Sequence, residues 1–213
     1  MDNVGRVPIP DLLVAALLGL GTGLGLIVAI GAQNAYLLRI GLASSARTVL
    51  IAVSICAGSD AVLILAGIAG VGAVIQSAPI ILLVARYAGA AFLIVYGALA
   101  ARRAIRGGAR LDAVDQRALR RPLLALVAMT WLNPHVYLDT LVLLGTIANQ
   151  QPDASRWWFG AGAVLGSILW FTTLGFAARL LRPLFARPVT WRVLDGVIAA
   201  VLWVIAATLL LDM

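Results

Sequence analysis

The sequence predicts an all-α polytopic membrane protein: six transmembrane helices arranged as two inverted three-helix repeats. Three observations carry that expectation. The 213 residues are 62% hydrophobic and have a mean hydropathy of +1.02, outside the range of an ordinary soluble domain. Apolar runs long enough for a hydrocarbon core, which takes about 20 helical residues, fall at 12–38, 48–72, 79–101, 122–147, 157–181 and 189–211. Short motifs of the first half recur in the second.

Composition also excludes several classes. The net charge of +7 comes from arginine, with no lysine or glutamate in the chain. The arginines sit in short loops and build no basic domain, so nucleic acid is not an expected partner. Cys56 is the only cysteine, which rules out an internal disulfide framework or CxxC pair and reads as a small apolar packer. The first run is too long for a secretory signal and carries Gln33, Asn34 and Arg39 near its far end. No cofactor or metal is called for.

Loop charge predicts the orientation. Between the third and fourth runs lie Arg102, Arg103, Arg106, Arg110, Arg117, Arg120 and Arg121, against Asp112 and Asp115. The loop 102–121 is therefore expected in the cytoplasm, with both termini outside. It divides the chain into a first three-helix repeat, 1–101, and a second, 122–213. Gly58-Ser59 and Gly67 match Gly166-Ser167 and Gly175 at one offset, and Tyr36-Leu37 matches Tyr137-Leu138 at another. Three spans per half force the second copy to be inverted, as in many secondary transporters.

Taken in order, span one is glycine-rich (Gly19, Gly21, Gly23, Gly25), and small residues four apart let helices approach closely. Gln33 and Asn34 lie deep in apolar sequence and need partners. They are either an interhelical hydrogen-bonding patch or part of a helix break at Gly31, with Tyr36 placed to stack on a cation. Span two holds Asp60 near its centre, where a carboxylate costs several kcal/mol unless paired, hydrated or protonated. Helical spacing puts Cys56, Asp60 and Gly67 on one face and predicts open space beside the acid. Its structural alternative is a buried pair, with Arg86 the nearest candidate partner within a span. Span three otherwise reads as packing.

Span four contains TWLNPHVYLDT, Thr130 to Thr140. Asn133 followed by Pro134 starts a helix, Asn as N-cap and Pro at the first helical position. The expected result is a broken span whose fresh N-terminus suits a carboxylate. Asp139 offers the opposite charge, and an amino acid carries both. His135, Asp139 and Thr146 share a face by helical spacing. His135, the only histidine, either relays a proton, which a pKa of about 6.5 suits, or simply hydrogen-bonds its neighbours. Trp131 and Tyr137 wall a cation site or pack. Span five opens on an interfacial anchor, Arg156-Trp157-Trp158, and carries Ser167, Trp170, Thr172 and Thr173. Span six is scaffold, with Asp195 expected to pair locally, near Arg192 and Trp191.

The segments IGAQNAYLLRIGL (30–42), SICAGSDAVLILAGIAG (54–70) and TWLNPHVYLDTLVLLG (130–145) resemble the LysE superfamily. Within it the third segment is closest to the bacterial arginine exporters. The resemblance covers most of the chain and implies six hydrophobic spans and export of basic amino acids from the bacterial cytoplasm. The family's intramembrane aspartates fall on Asp60 and Asp139, and its Asn-Pro on Asn133 and Pro134. One departure is Ala32, where the family usually has proline after the glycine of its first motif.

The functional expectation is a secondary-active, proton-coupled exporter of L-arginine or L-lysine in the inner membrane. Substrate contacts would come from Gln33, Asn34, Tyr36, Asp60, Asn133, Pro134, Tyr137 and Asp139, with His135 the candidate proton relay. Superfamily relatives handling neutral amino acids or divalent cations are the alternative, although a metal site prefers more carboxylates, histidines or thiolates close together. An intramembrane hydrolase could also use paired aspartates, but no protease motif is present and an enzyme is not expected. The expected partners are a small basic amino acid and the lipid bilayer. The sequence leaves open whether copies associate as a homo-oligomer.

Overall fold

A computed structural model describes residues 9–28, 31–71, 79–106, 116–133 and 136–211. The described residues are helical apart from short turns, and no strand occurs among them. In chain order the helices are α1 (Ile9–Ile27), α2 (Ala32–Ala43), α3 (Ala46–Ile68), α4 (Pro79–Arg106), α5 (Gln116–Trp131), α6 (Tyr137–Asn149), α7 (Asp153–Ala177) and α8 (Pro188–Leu211), with a 3₁₀ segment, Ala178–Ala186, between the last two.

Four helical stretches are long and apolar enough to cross a membrane: Ala46–Ile68, Arg86–Arg106, Ala154–Phe185 and Pro188–Leu211. The 23 residues of α3, at about 1.5 Å per residue, match the hydrocarbon thickness. A fifth is obtained by counting α1 and α2 as one interrupted span. The expected run 122–147 is not one helix. Its helix stops at Trp131, Asn133 is non-helical, and helix is present again from Val136. The chain is thus an all-helical, multi-pass membrane protein with four to five uninterrupted or once-bent spans among the described residues.

Two compact units are interleaved along the chain. The first comprises Met1–Ala29, Ala57–Pro79 and His135–Trp170; the second comprises Ile30–Cys56, Ile80–Pro134 and Phe171–Met213. The chain passes between them five times, twice in the middle of a continuous helix, at Cys56/Ala57 in α3 and at Trp170/Phe171 in α7.

In the first unit, glycine governs helix spacing. A side chain at Gly19 would run into the backbone of Phe159, and one at Gly162 into that of Ala16, so α1 and α7 meet main chain to main chain. Around that contact Ile64, Ile68, Leu144, Ala148, Phe159 and Ala163 form a fully buried cluster.

In the second unit α4 and α8 run antiparallel. Arg86 Nε donates to the Leu209 carbonyl, Trp203 Nε1 donates to the Ile94 carbonyl at 3.3 Å, and Arg103 Nε donates to Asp195 at 3.2 Å. Position thus rises along one helix as it falls along the other. The 3₁₀ segment closes the C-terminal end of α2: Arg182 donates to the carbonyls of Gly41, Leu42 and Ser44. Those are among the acceptors that a helix terminus leaves unsatisfied. Beneath it, Leu42, Ala178 and Trp191 are buried together.

Candidate functional site: buried acids and interrupted helices

Asp60 projects from α3 inside the first unit and is 4% exposed. Its Oδ2 accepts a 2.8 Å hydrogen bond from Ser167 Oγ on α7, itself fully buried. That partner is a neutral hydroxyl, not the arginine raised as a structural alternative; Arg86 instead donates to Leu209. A hydroxyl orients a buried carboxylate but does not neutralise it. The charge still calls for a proton or a cation.

The expected open space beside Asp60 on the Gly67 side is filled. A Cβ on Gly67 would lie 2.7 Å from the Leu141 carbonyl oxygen, and one on Gly145 would lie 2.7 Å from that of Gly67. Helices α3 and α6 therefore cross in backbone contact, and Asn149 Nδ2 reaches the Gly67 carbonyl at 3.4 Å. Glycine at position 67 reads as a cavity in sequence, yet here it admits a neighbouring helix. Both acids sit on this crossing pair, Asp139 two residues before Leu141 and Asp60 about 10 Å along α3 from Gly67.

Residues Tyr137–Leu144 of α6 are wound as a π-helix, a rare geometry concentrated at functional sites. Asp139 lies in its first turn and is half-buried, Tyr137 is half-buried, and Thr140 is buried. The wider winding breaks the 3.6-residue spacing that placed Asp139 and Thr146 on one face, and Thr146 is exposed. Trp170, one turn beyond Ser167 on α7, is half-buried.

The remaining expected contacts belong to the second unit. Helix α2 begins at Ala32 after Gly31, whose backbone is extended (φ −110°, ψ 172°) and which offers no side-chain cap to the first-turn N–H groups. The break at Gly31 therefore forms without the family's proline. Gln33 in that first turn is buried, and its Nε2 has no hydrogen-bond partner among the described residues. Asn34 is half-buried beside it. Tyr36, one turn on, is 6% exposed and meets the ring of Tyr96 edge-on at 5.6 Å. Helix α2 packs against α5, which ends just before the buried Asn133. Pro134 and His135 lie outside the described residues.

Asp195 does not pair locally. It is 1% exposed, while Arg192 faces outward. Its Oδ1 is shared by Arg103 Nε of α4 at 3.2 Å and Arg39 Nε of α2 at 3.1 Å. Sequence proximity suggested Arg192 because residues three apart are helix neighbours; packing of α8 against α2 and α4 supplied better partners. Sequence reasoning also missed the role of Ser167. A usable signal was present, since Ser167 occupies the position matched by Ser59, the neighbour of Asp60.

Set beside known proteins, the chain matches the family model for the LysE type translocator over residues 24–213. A Mycobacterium tuberculosis protein named as a candidate amino-acid transporter is 46% identical over 192 residues, 86% of this chain and 90% of that protein. The arginine exporter protein ArgO of Yersinia enterocolitica is 38% identical over 197 residues, covering 92% and 95% of the two chains. The lysine exporter LysE of Corynebacterium diphtheriae is 34% identical over 226 residues, covering 92% and 98%. No solved structure matches the chain. With a match over nearly its whole length, a pair of interrupted helices and an intramembrane carboxylate, the chain belongs to the LysE-type translocator family.

Proposed function

We propose that this protein is a secondary-active exporter of basic amino acids, L-arginine or L-lysine, in the bacterial inner membrane. The observation that carries the proposal is Asp60: a carboxylate 4% exposed in an apolar span, held by a serine hydroxyl. Such a group is stable when protonated or when a cation is bound, and alternation between those two forms is proton–cation exchange. The lysine and arginine exporters among its relatives give the cation its chemical class.

In this reading Asp60 and Asp139 receive the cationic groups of the amino acid along its route. The α-carboxylate is taken by N–H groups at the helix ends near Gly31 and Asn133-Pro134, with Gln33 and Asn34 beside the first. Tyr36 and Tyr137 offer ring faces to the cation, and His135 is the candidate relay for the proton. Export of a net +1 solute against an inside-negative potential costs roughly 2.3 kcal/mol per 100 mV. A tenfold outward gradient offsets about 1.4 kcal/mol, and proton entry supplies the remainder.

The architecture proposed is six spans in two inverted repeats. Span one is α1 with α2, span four is α5 with α6, and the 102–121 loop is cytoplasmic with both termini outside. The matched Gly-Ser motifs and one helix break per half support it.

Vesicles loaded with labelled arginine or lysine test the transport reading. Efflux should accelerate with an inward proton gradient and fall at least about tenfold in Asp60→Asn and in Asp139→Asn. Undiminished efflux by both variants rejects the carboxylate site, and no efflux of either substrate by the parent protein rejects the exporter assignment.

A further inference from the structure

We propose that Arg39, Arg103 and Asp195 form an oxyanion site that holds the phosphate of an anionic phospholipid headgroup. The cluster is built from three elements of the second unit, α2, α4 and α8, and the transport reading does not use it.

The argument begins with charge. Two guanidinium groups share one carboxylate oxygen, which leaves a net charge of +1 in a largely buried setting. Hydrogen bonding is as lopsided as charge. Arg103 Nη2 is buried with no hydrogen-bond acceptor among the described residues. Arg39 Nε, although 3.1 Å from Asp195 Oδ1, is not aligned to donate to it. A monoanion seated against the exposed edges of the two guanidinium groups would cancel that charge and accept from their accessible N–H groups. Basic amino acids are a poor match, because a second cation would raise the local charge to +2.

Access and surroundings point to lipid. Asp195 is sealed, but the side chains of Arg39 and Arg103 remain 22% and 32% exposed, so a ligand can approach their outer edges. Along one face of α4 the residues change from apolar to cationic: Leu99 is 43% exposed, Arg103 lies one turn on, and Arg106 is exposed in the turn beyond. Arg102 is exposed and Ile105 is 79% exposed beside them. An apolar surface giving way to arginines is the profile a phospholipid presents in reverse, acyl chain then phosphate. Basic pockets between membrane helices on the cytoplasmic side bind such headgroups.

The test uses the full-length protein, purified in a neutral detergent, with native mass spectrometry and thermal unfolding as readouts. Probes are phosphatidylglycerol, phosphatidylcholine and inorganic phosphate. Phosphatidylglycerol should remain bound and raise Tm, whereas the other two should do neither. Arg39→Gln and Arg103→Gln should each weaken phosphatidylglycerol binding roughly fivefold, Arg103→Lys should retain most of it, and Arg47→Gln, an exposed arginine that makes no ion pair with Asp195, should weaken it less than either. Asp195→Asn separates a ligand site from a mere structural tie. It takes the cluster from +1 to +2, so it should tighten lipid binding even as it destabilises the lipid-free protein. Equal loss in Arg47→Gln and Arg103→Gln, or weaker binding in Asp195→Asn, overturns the proposal. Stabilisation by inorganic phosphate equal to that by phosphatidylglycerol overturns the lipid assignment in favour of a free oxyanion.

Discussion

Ser167 Oγ donates to Asp60 Oδ2 across 2.8 Å, joining α7 to α3 inside a unit where both residues are buried. The hydroxyl fixes the direction of the carboxylate and leaves its charge to be balanced by a proton or a cation. Hydrogen bonds to a charged group contribute about 1.5–3 kcal/mol, so under the proposed exporter reading Ser167→Ala should reduce arginine efflux by roughly tenfold or more. Ser167→Thr, which keeps the hydroxyl, should restore most of the rate. Equal efflux from Ser167→Ala and the parent protein would remove the hydroxyl from the site.

The crossing of α3 and α6 depends on the missing side chain at position 67. Gly67→Ala sets a methyl 2.7 Å from the Leu141 carbonyl oxygen and should lower stability by about 1–3 kcal/mol through overpacking. Gly58→Ala on the same helix meets nothing within 4 Å and should be neutral or gain up to about 1 kcal/mol of helix propensity. Thermal unfolding of the two variants in one detergent gives the comparison. Similar Tm values would mean that the helices do not touch at Gly67.

Ala32 occupies the first helical position after an extended Gly31. That position has no intrahelical use for its N–H, and an extended residue before it is the conformation proline requires. Ala32→Pro should therefore fold, keep its efflux, and match or exceed the parent stability by about 0.4–1 kcal/mol, through the unfolded chain. A fall of several degrees in Tm would show that the pyrrolidine ring does not fit where Ala32 is 1% exposed.

Arg182 ties the 3₁₀ segment to the end of α2 through three carbonyls. Arg182→Ala leaves those acceptors without their cation and should cost about 1–2 kcal/mol. Arg182→Lys should recover only part of the loss, since an ammonium lacks the planar fork. Unfolding midpoints of the two variants, measured against the parent, check the order.

The membrane character, the helix interruption beside Asn133 and the buried acid at Asp60 were readable from sequence because each rests on local rules, whereas the break at Gly31 was one of two readings the sequence allowed. Twenty apolar residues must form a helix in lipid, Asn-Pro must interrupt one, and a carboxylate amid leucine and valine must find a partner. Identity of the partner was not readable, since it depends on which helices meet. Ser167 lies 107 residues from Asp60, and Asp195 passes over nearby Arg192 for Arg39 and Arg103, brought in by α2 and α4. Gly67 is the clearest case. Spacing along α3 made it a gap beside an acid, and only the tertiary structure decided that another backbone fills that gap, because a helix face cannot specify what packs on it. Winding of residues 137–144 into a π-helix belongs to the same class, since the hydrogen-bond ladder there shifts without any residue that announces it.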